Sequence, residues 1–203
     1  MITDIVQTAV CAFDGVEFNQ LAQCPLCGGR VIGYDTRERK FAVIQEASNE
    51  RTITVRVKRF TCSTCNQPCN ADEPFYTDTR IGSLVIDLYT TLSTTMPQSQ
   101  AARIIAAMGI RVDRTSWKNY KDRAIPEIPT TDIFGMHLPI SILTLSTLAA
   151  HTPEGSCIEG AEALAACGFP SAYRAAQHRS LPVQKRDDRE KEEEKEEREA
   201  HHP

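Results

Sequence analysis

The spacing of apolar residues changes twice along the chain. After residue 30 it is strand-like: Val31, Ile32 and Tyr34, then Phe41, Val43 and Ile44, then Ile53, Val55 and Val57 alternating with Thr54, Arg56 and Lys58 in RTITVRVKRF. A period of two marks a half-buried strand. EASNE at 46–50 reads as the turn before the last strand. Residues 24–73 therefore form a small β-rich module, with 1–23 as a partly ordered lead-in. From residue 77 the period lengthens. Ile81, Leu84, Val85, Leu88 and Leu92 share one helical face. A second helix starts near Pro97, buries Ala101, Ile104, Ile105 and Met108, and ends before Gly109. Asp113 is placed to cap a third, with Trp117 and Tyr120 facing inward and Pro126 and Pro129 beyond it. Residues 74–125 thus read as an all-α unit. Residues 126–182 read as three more short helices, LPISILTLSTLAA, EGAEALAACGF and PSAYRAAQHR. The echo of ARIIAAMGI in AEALAACGF leaves two readings, a second helix-turn-helix or a helical cap on the first. Residues 183–203 are nearly all charge, with no apolar stripe to bury, and read as a disordered or solvated tail. The fold class expected is α+β: a zinc ribbon, then an all-α helix-turn-helix region, then a charged tail.

At 203 residues the chain holds one or two small domains. No apolar run is long enough to span a bilayer. The start, MITDIVQTAV, lacks the basic lead and apolar centre of a signal peptide. A cytoplasmic location is expected, where the eight cysteines favour metal or thiol chemistry over disulfides. The net charge of −4 conceals a pattern: residues 24–124 carry 15 bases against 10 acids, and every other segment is acidic. Positive charge therefore coincides with the paired cysteines, as a phosphate-binding surface requires.

Those pairs are Cys24-x-x-Cys27 and Cys62-x-x-Cys65, one on either side of the strand segment. Each tight turn converges two thiolates, and two such turns complete a tetrahedron. The glycine after Cys27 permits the positive φ that returns the chain to a strand. A redox pair would need a βαβ setting, which the strand pattern denies. One structural zinc ion is expected, because four thiolates leave no open position; a rubredoxin-like iron site shares this spacing and stays open as an alternative. Cys69 reads as packing, with a role in place of Cys62 or Cys65 as the alternative. Cys11, Cys157 and Cys167 read as isolated and buried.

Residues 98–123 have the layout of a helix-turn-helix, with the turn at Gly109–Val112. Arg114, Thr115, Ser116, Lys118, Asn119 and Lys121 lie on the polar side of the second helix, and Arg56, Lys58 and Arg59 on the basic strand. These are the candidate DNA contacts, by side chains suited to phosphates and base edges.

The order CPLCGGRVIGYDTRERK…TITVRVKRFTCSTC, then FYTDTRIGSLVIDLYTTL…QSQAARIIAAMGIRVDRTSWKNY, resembles the N-terminal region of insertion-sequence transposases of the DDE type. The resemblance covers residues 24–123. It implies that Cys24, Cys27, Cys62 and Cys65 ligate zinc and that the helix at 114–123 contacts terminal-repeat DNA. A DDE domain needs three carboxylates on an RNase-H-like sheet. The segment after 125 offers Glu127, Asp132, Glu154, Glu159 and Glu162 in Ala-rich helical sequence, so no nuclease is expected. None of the five histidines, His137, His151, His178, His201 and His202, has a Cys or Asp at catalytic spacing. The expected partner is double-stranded DNA, with no membrane and no small-molecule substrate. A homodimer would let so small a unit read a longer site. The alternative is a zinc-ribbon adaptor that docks a protein partner.

Overall fold

The computed structural model describes residues 2–46, 49–113, 117, 128–153 and 155–168. The expected lead-in is a helix, α1 (Ile2–Cys11), which buries Val6, Ala9 and Val10 on one face. Phe13, Val16 and Phe18 continue that burial, and β1 (Glu17–Phe18) runs parallel to a later strand. The three-and-four spacing of Ile2, Ile5, Val6, Ala9 and Val10 carries the signal for this helix.

The strands expected separately at 31–34 and 41–44 are one strand, β2 (Val31–Glu46), paired antiparallel with β3 (Asn49–Cys62). The ladder runs from Val31 opposite Cys62 to Glu46 opposite Asn49. The intervening DTRERK has no apolar alternation, so it gives no strand signal of its own; backbone pairing to β3 carries it through. Irregularities fall between Gly33 and Asp35 and between Lys40 and Ala42. The second divides the hairpin. Phe41–Ile44 are buried on both faces of β2, whereas 32–38 are exposed on both. One half of the hairpin therefore belongs to the core, and the other projects from it.

β4 (Pro68–Asn70) lines the projecting half of β3. α2 (Ser83–Thr95) and α3 (Gln98–Ala107) follow, and β5 (Ile110–Arg111) returns to pair with β2 at Val43 and Ile44. The sheet order is β1-β3-β2-β5, with β4 on β3. A two-stranded sheet, β6 (Thr130–Ile133) and β7 (Met136–Pro139), precedes α4 (Ile140–His151) and α5 (Gly160–Ala166). The chain is thus mixed α+β, but the part after the hairpin is not all-α: β5, β6 and β7 lie within it. Of the three helices expected over 138–178, two are present and the third falls outside the described residues. So does the charged tail.

One buried cluster joins α1, the inner half of the hairpin, α2, α3, β5, β7, α4 and α5. α1 packs on α4, and α2 on α3 and β7. α2 is not one-faced as its pattern suggested. Ser83–Tyr89, Thr91 and Leu92 are all buried, so it is the central helix. That position buries a carboxyl. Asp87 is 4% exposed and accepts a 2.5 Å hydrogen bond from the Tyr76 hydroxyl. Burial pushes Asp87 up to about 7, against the donation from Tyr76. Asp87 keeps its proton in the folded chain well above the unfolded value. Its contribution is therefore full at low pH and lost as pH rises through 7. Stability should fall by about 3 kcal/mol between pH 5 and pH 8 from this group. Asp87→Asn should flatten that slope in urea titrations across the range; an unchanged slope would assign the pH dependence elsewhere.

Candidate metal centre

The two cysteine pairs meet at the open end of the hairpin, the first just before β2 and the second at the end of β3. Both loops are built alike. The N–H of Gly28 bonds the carbonyl of Cys24, and the N–H of Asn66 bonds that of Cys62, at 2.9 and 3.0 Å. The residue after each second cysteine has positive φ, Gly28 at 71° and Asn66 at 56°. Glycine fits that region freely, and asparagine is among the few other residues that adopt it. Gly29 serves a different need: a Cβ there would lie 2.4 Å from Thr64 Oγ1 and 3.1 Å from Cys62 Sγ, so its absence lets the loops close on each other. The Ser63 N–H and hydroxyl both bond the carbonyl of Arg30, tying one loop to the other.

The four sulfurs all lie within 4.8 Å of one another. Cys24 and Cys65 are 3.7 Å apart, and Cys27 and Cys62 3.5 Å. A tetrahedral zinc–thiolate site with arms of about 2.3 Å has edges of about 3.8 Å. The set therefore fits a tetrahedral ion, and the donor chemistry fits a thiophilic metal such as zinc. Backbone donors prepare the site unevenly. The N–H groups of Cys27 and Leu26 hold Cys24 down at about 6, and those of Cys65 and Thr64 lower Cys62. The Thr64 N–H lies 3.4 Å from the Cys62 sulfur. The N–H of Gly29 favours the Cys27 thiolate, but the sulfurs of Cys62 and Cys65 outweigh it and raise that thiol to about 12. Cys65 is raised too: the N–H of Gln67 and the sulfur of Cys27 lower it, but burial and the sulfurs of Cys62 and Cys24 outweigh them. Each loop thus holds one sulfur whose thiolate the backbone favours and one whose thiolate it does not, and binding a metal ion would release whatever protons the four thiols carry.

The other predicted site residues fall elsewhere. Arg56 pairs with Glu17 at 2.7 Å, Lys58 stands 5.6 Å over the ring of Phe60, and Arg59 forks onto both carboxylate oxygens of Asp35. Arg114, Thr115, Ser116, Lys118, Asn119 and Lys121 lie outside the described residues. Trp117 is helical, donates its N–H to the carbonyl of Asp113, and stacks on Tyr89 at 4.1 Å. Of the remaining cysteines expected to be buried, Cys167 is, Cys11 is half-buried and Cys157 is exposed with its thiol on the carbonyl of Asp14. Asn66 is a site residue that the sequence reading passed over, although it stands where Gly28 does in the first loop. Among the described residues no helix is long and apolar enough to cross a membrane. Comparison with protein-family models, with curated proteins and with solved structures gives no match. The likeness to transposase N-terminal regions rests on the motifs alone.

Proposed function

We propose that this chain is a zinc-dependent DNA-binding protein, transposase-derived or regulatory, with no nuclease chemistry of its own. The reading is carried by the position of the four-thiol cluster. It would clamp the end of a hairpin whose projecting half presents a basic face. Lys58 lies beside Thr36, Arg56 beside Glu38, and Lys40 beside Thr54 on that face. A two-stranded ribbon fits the major groove of B-DNA. The pairs of Arg56 with Glu17 and Arg59 with Asp35 are exposed, cost little to break, and can be exchanged for phosphate. The segment 114–123, expected from its sequence to be a recognition helix, supplies the second contact on this reading. The metal is structural: four thiolates close the coordination sphere.

Titration of mixed duplex fragments at two salt concentrations tests this. Zinc-loaded protein should bind with a salt-dependent affinity that chelation abolishes, and Lys58→Ala should reduce the salt slope by about 1. Equal binding by the chelated protein, or a salt-independent affinity, would sink the reading. A second reading, a protein-docking adaptor, is favoured by the large apolar residues on the same hairpin end: Leu26, Ile32 and Tyr34 are 71%, 58% and 73% exposed. If DNA binding fails while a complex lost in Ile32→Ser is recovered, the adaptor takes its place.

A further inference from the structure

The cluster holds a fifth sulfur. β4 pairs with β3 so that Cys69 stands opposite Phe60, two residues from the second loop's cysteine Cys62 along the ladder. Its Sγ lies 3.7 Å from Cys24 Sγ, the same separation as between Cys24 and Cys65. Cys69 is 6% exposed and packs with Cys24 and Cys62, with Cys65, Leu21 and Val31 around them. Cys27, by contrast, is exposed. Cys24, Cys62 and Cys65 thus have one exposed cysteine in their set, Cys27, and one buried cysteine, Cys69, packed with them. An apolar residue would fill the buried place equally well as packing. A sulfur at tetrahedral-edge distance from Cys24 offers a metal ion a ligand that an apolar residue does not.

We propose that Cys69 is a reserve metal ligand that takes the fourth position when Cys27 is lost or modified. The inference rests on the metal reading above. In the exchange, Cys24, Cys62 and Cys65 keep their bonds to the ion. The bond to Cys27 breaks, a bond to Cys69 forms, and the Cys69 proton passes to solvent. No oxidant or reductant is consumed. Four bound thiolates leave the ion no open position, so Cys69 does not compete with an intact site. Its thiol meanwhile points to the carbonyl of Gln67 at 3.6 Å, a weak bond that costs little to give up. The exposed ligand is the one most open to alkylation or oxidation, so the reserve faces the loss that exposure makes most frequent.

Cobalt(II) titration of the full chain tests the proposal, because sulfur-to-cobalt charge-transfer absorption grows with the number of bound thiolates. The wild type and Cys69→Ser should each take up one equivalent with the absorption of four thiolates. Cys27→Ser should do the same, and Cys27→Ala should match it, since alanine offers the metal no oxygen. The double variant Cys27→Ser/Cys69→Ser should lose about one quarter of the charge-transfer intensity and about tenfold or more in affinity relative to Cys27→Ser. The cost of removing Cys69 must therefore be small with Cys27 present and large without it, a coupling that mere packing would not produce. Single Cys27 variants indistinguishable from the double variant would overturn the reserve ligand and leave the four-thiol site standing. A wild type that takes up no cobalt would overturn the metal reading, and the reserve ligand with it.

Discussion

Cys62→Ser is expected to weaken zinc binding by about tenfold or more and, at limiting zinc, to unzip the projecting half of the hairpin while the core half stays folded. Cys62 is fully buried, ends β3 opposite Val31, and its sulfur contacts that of Cys27. The buried thiol Cys69 would be left to partner Cys24 and Cys65, with only the exposed Cys27 as a fourth sulfur. Structural zinc in small modules is worth roughly 10–16 kcal/mol near neutral pH, and that energy is folding energy wherever the site does not pre-exist in the unfolded chain. Here the dependence should be local. Residues 32–38 of β2 are exposed on both faces, so little apolar burial holds them to β3. Phe41–Ile44, Ile53, Val55 and Val57 lie inside the main cluster and do not need the metal. Hydrogen exchange should therefore lose protection over 24–36 and 58–70, in Cys62→Ser as in chelated wild type, and keep it over 37–44 and 51–57, which pair with one another. Zinc content by mass spectrometry of the intact chain should fall from one ion to a small fraction under a competing chelator that the wild type withstands. Uptake by the wild type should weaken as pH falls, since thiols must lose their protons to bind. A variant that holds the ion as tightly as the wild type, or unaltered protection at the hairpin end, would remove the metal from its place in the fold.

How much of this was legible depended on whether a feature is local. The two Cys-x-x-Cys loops are local, and their spacing announced a four-thiol cluster before any geometry was known. The alternation of Ile53, Val55 and Val57 likewise announced β3. β2 was legible only in pieces, because a strand exposed on both faces over 32–38 has no apolar period to read. Its continuity comes from the ladder, a pairing between residues as far apart as Val31 and Cys62. The helical period of α2 was correct, but its burial on nearly every face depends on α3, β7 and the hairpin, none of which its own residues specify. Asp87 shows the cost of that gap: a carboxylate in a helical pattern reads as a solvent-facing charge, and only packing puts it inside. β5 was illegible for the opposite reason. Two residues cannot display a period, and Ile110–Arg111 become a strand only because β2 has a free edge there. The lead-in, read as partly ordered, carries the stripe of α1 in Ile2, Ile5, Val6, Ala9 and Val10.

Phe41→Ala is expected to destabilise the folded chain by about 3–5 kcal/mol, the range for removing a buried aromatic side chain. Phe41 is the residue at which β2 passes from exposed to buried, in the irregularity between Lys40 and Ala42. Its ring is wholly inside. It stacks on Phe13 with centroids 4.1 Å apart and meets Phe75 edge-on at 5.9 Å. It also lies over Gly82, where an added Cβ would fall 2.1 Å from the ring, and its carbonyl accepts the N–H of Gly82 at 2.8 Å. One side chain therefore joins the segment after α1, the hairpin, and the start of α2. Its loss leaves a cavity among three elements that are each held by other contacts, so collapse to fill it is restricted. That places the cost toward the upper part of the range. Gly82→Ala should destabilise by the opposite fault, overpacking against the same ring, by about 1–3 kcal/mol. The double variant separates this packing from a general weakness of the region. With the ring gone, the new methyl group enters the cavity instead of striking it. Phe41→Ala/Gly82→Ala should then be less destabilised than the sum of the two single variants, by about 1 kcal/mol or more in urea denaturation at fixed metal content. Additive losses would mean that the ring and Gly82 do not share a contact in solution. A loss below about 1 kcal/mol in Phe41→Ala alone would mean that the hairpin is anchored elsewhere.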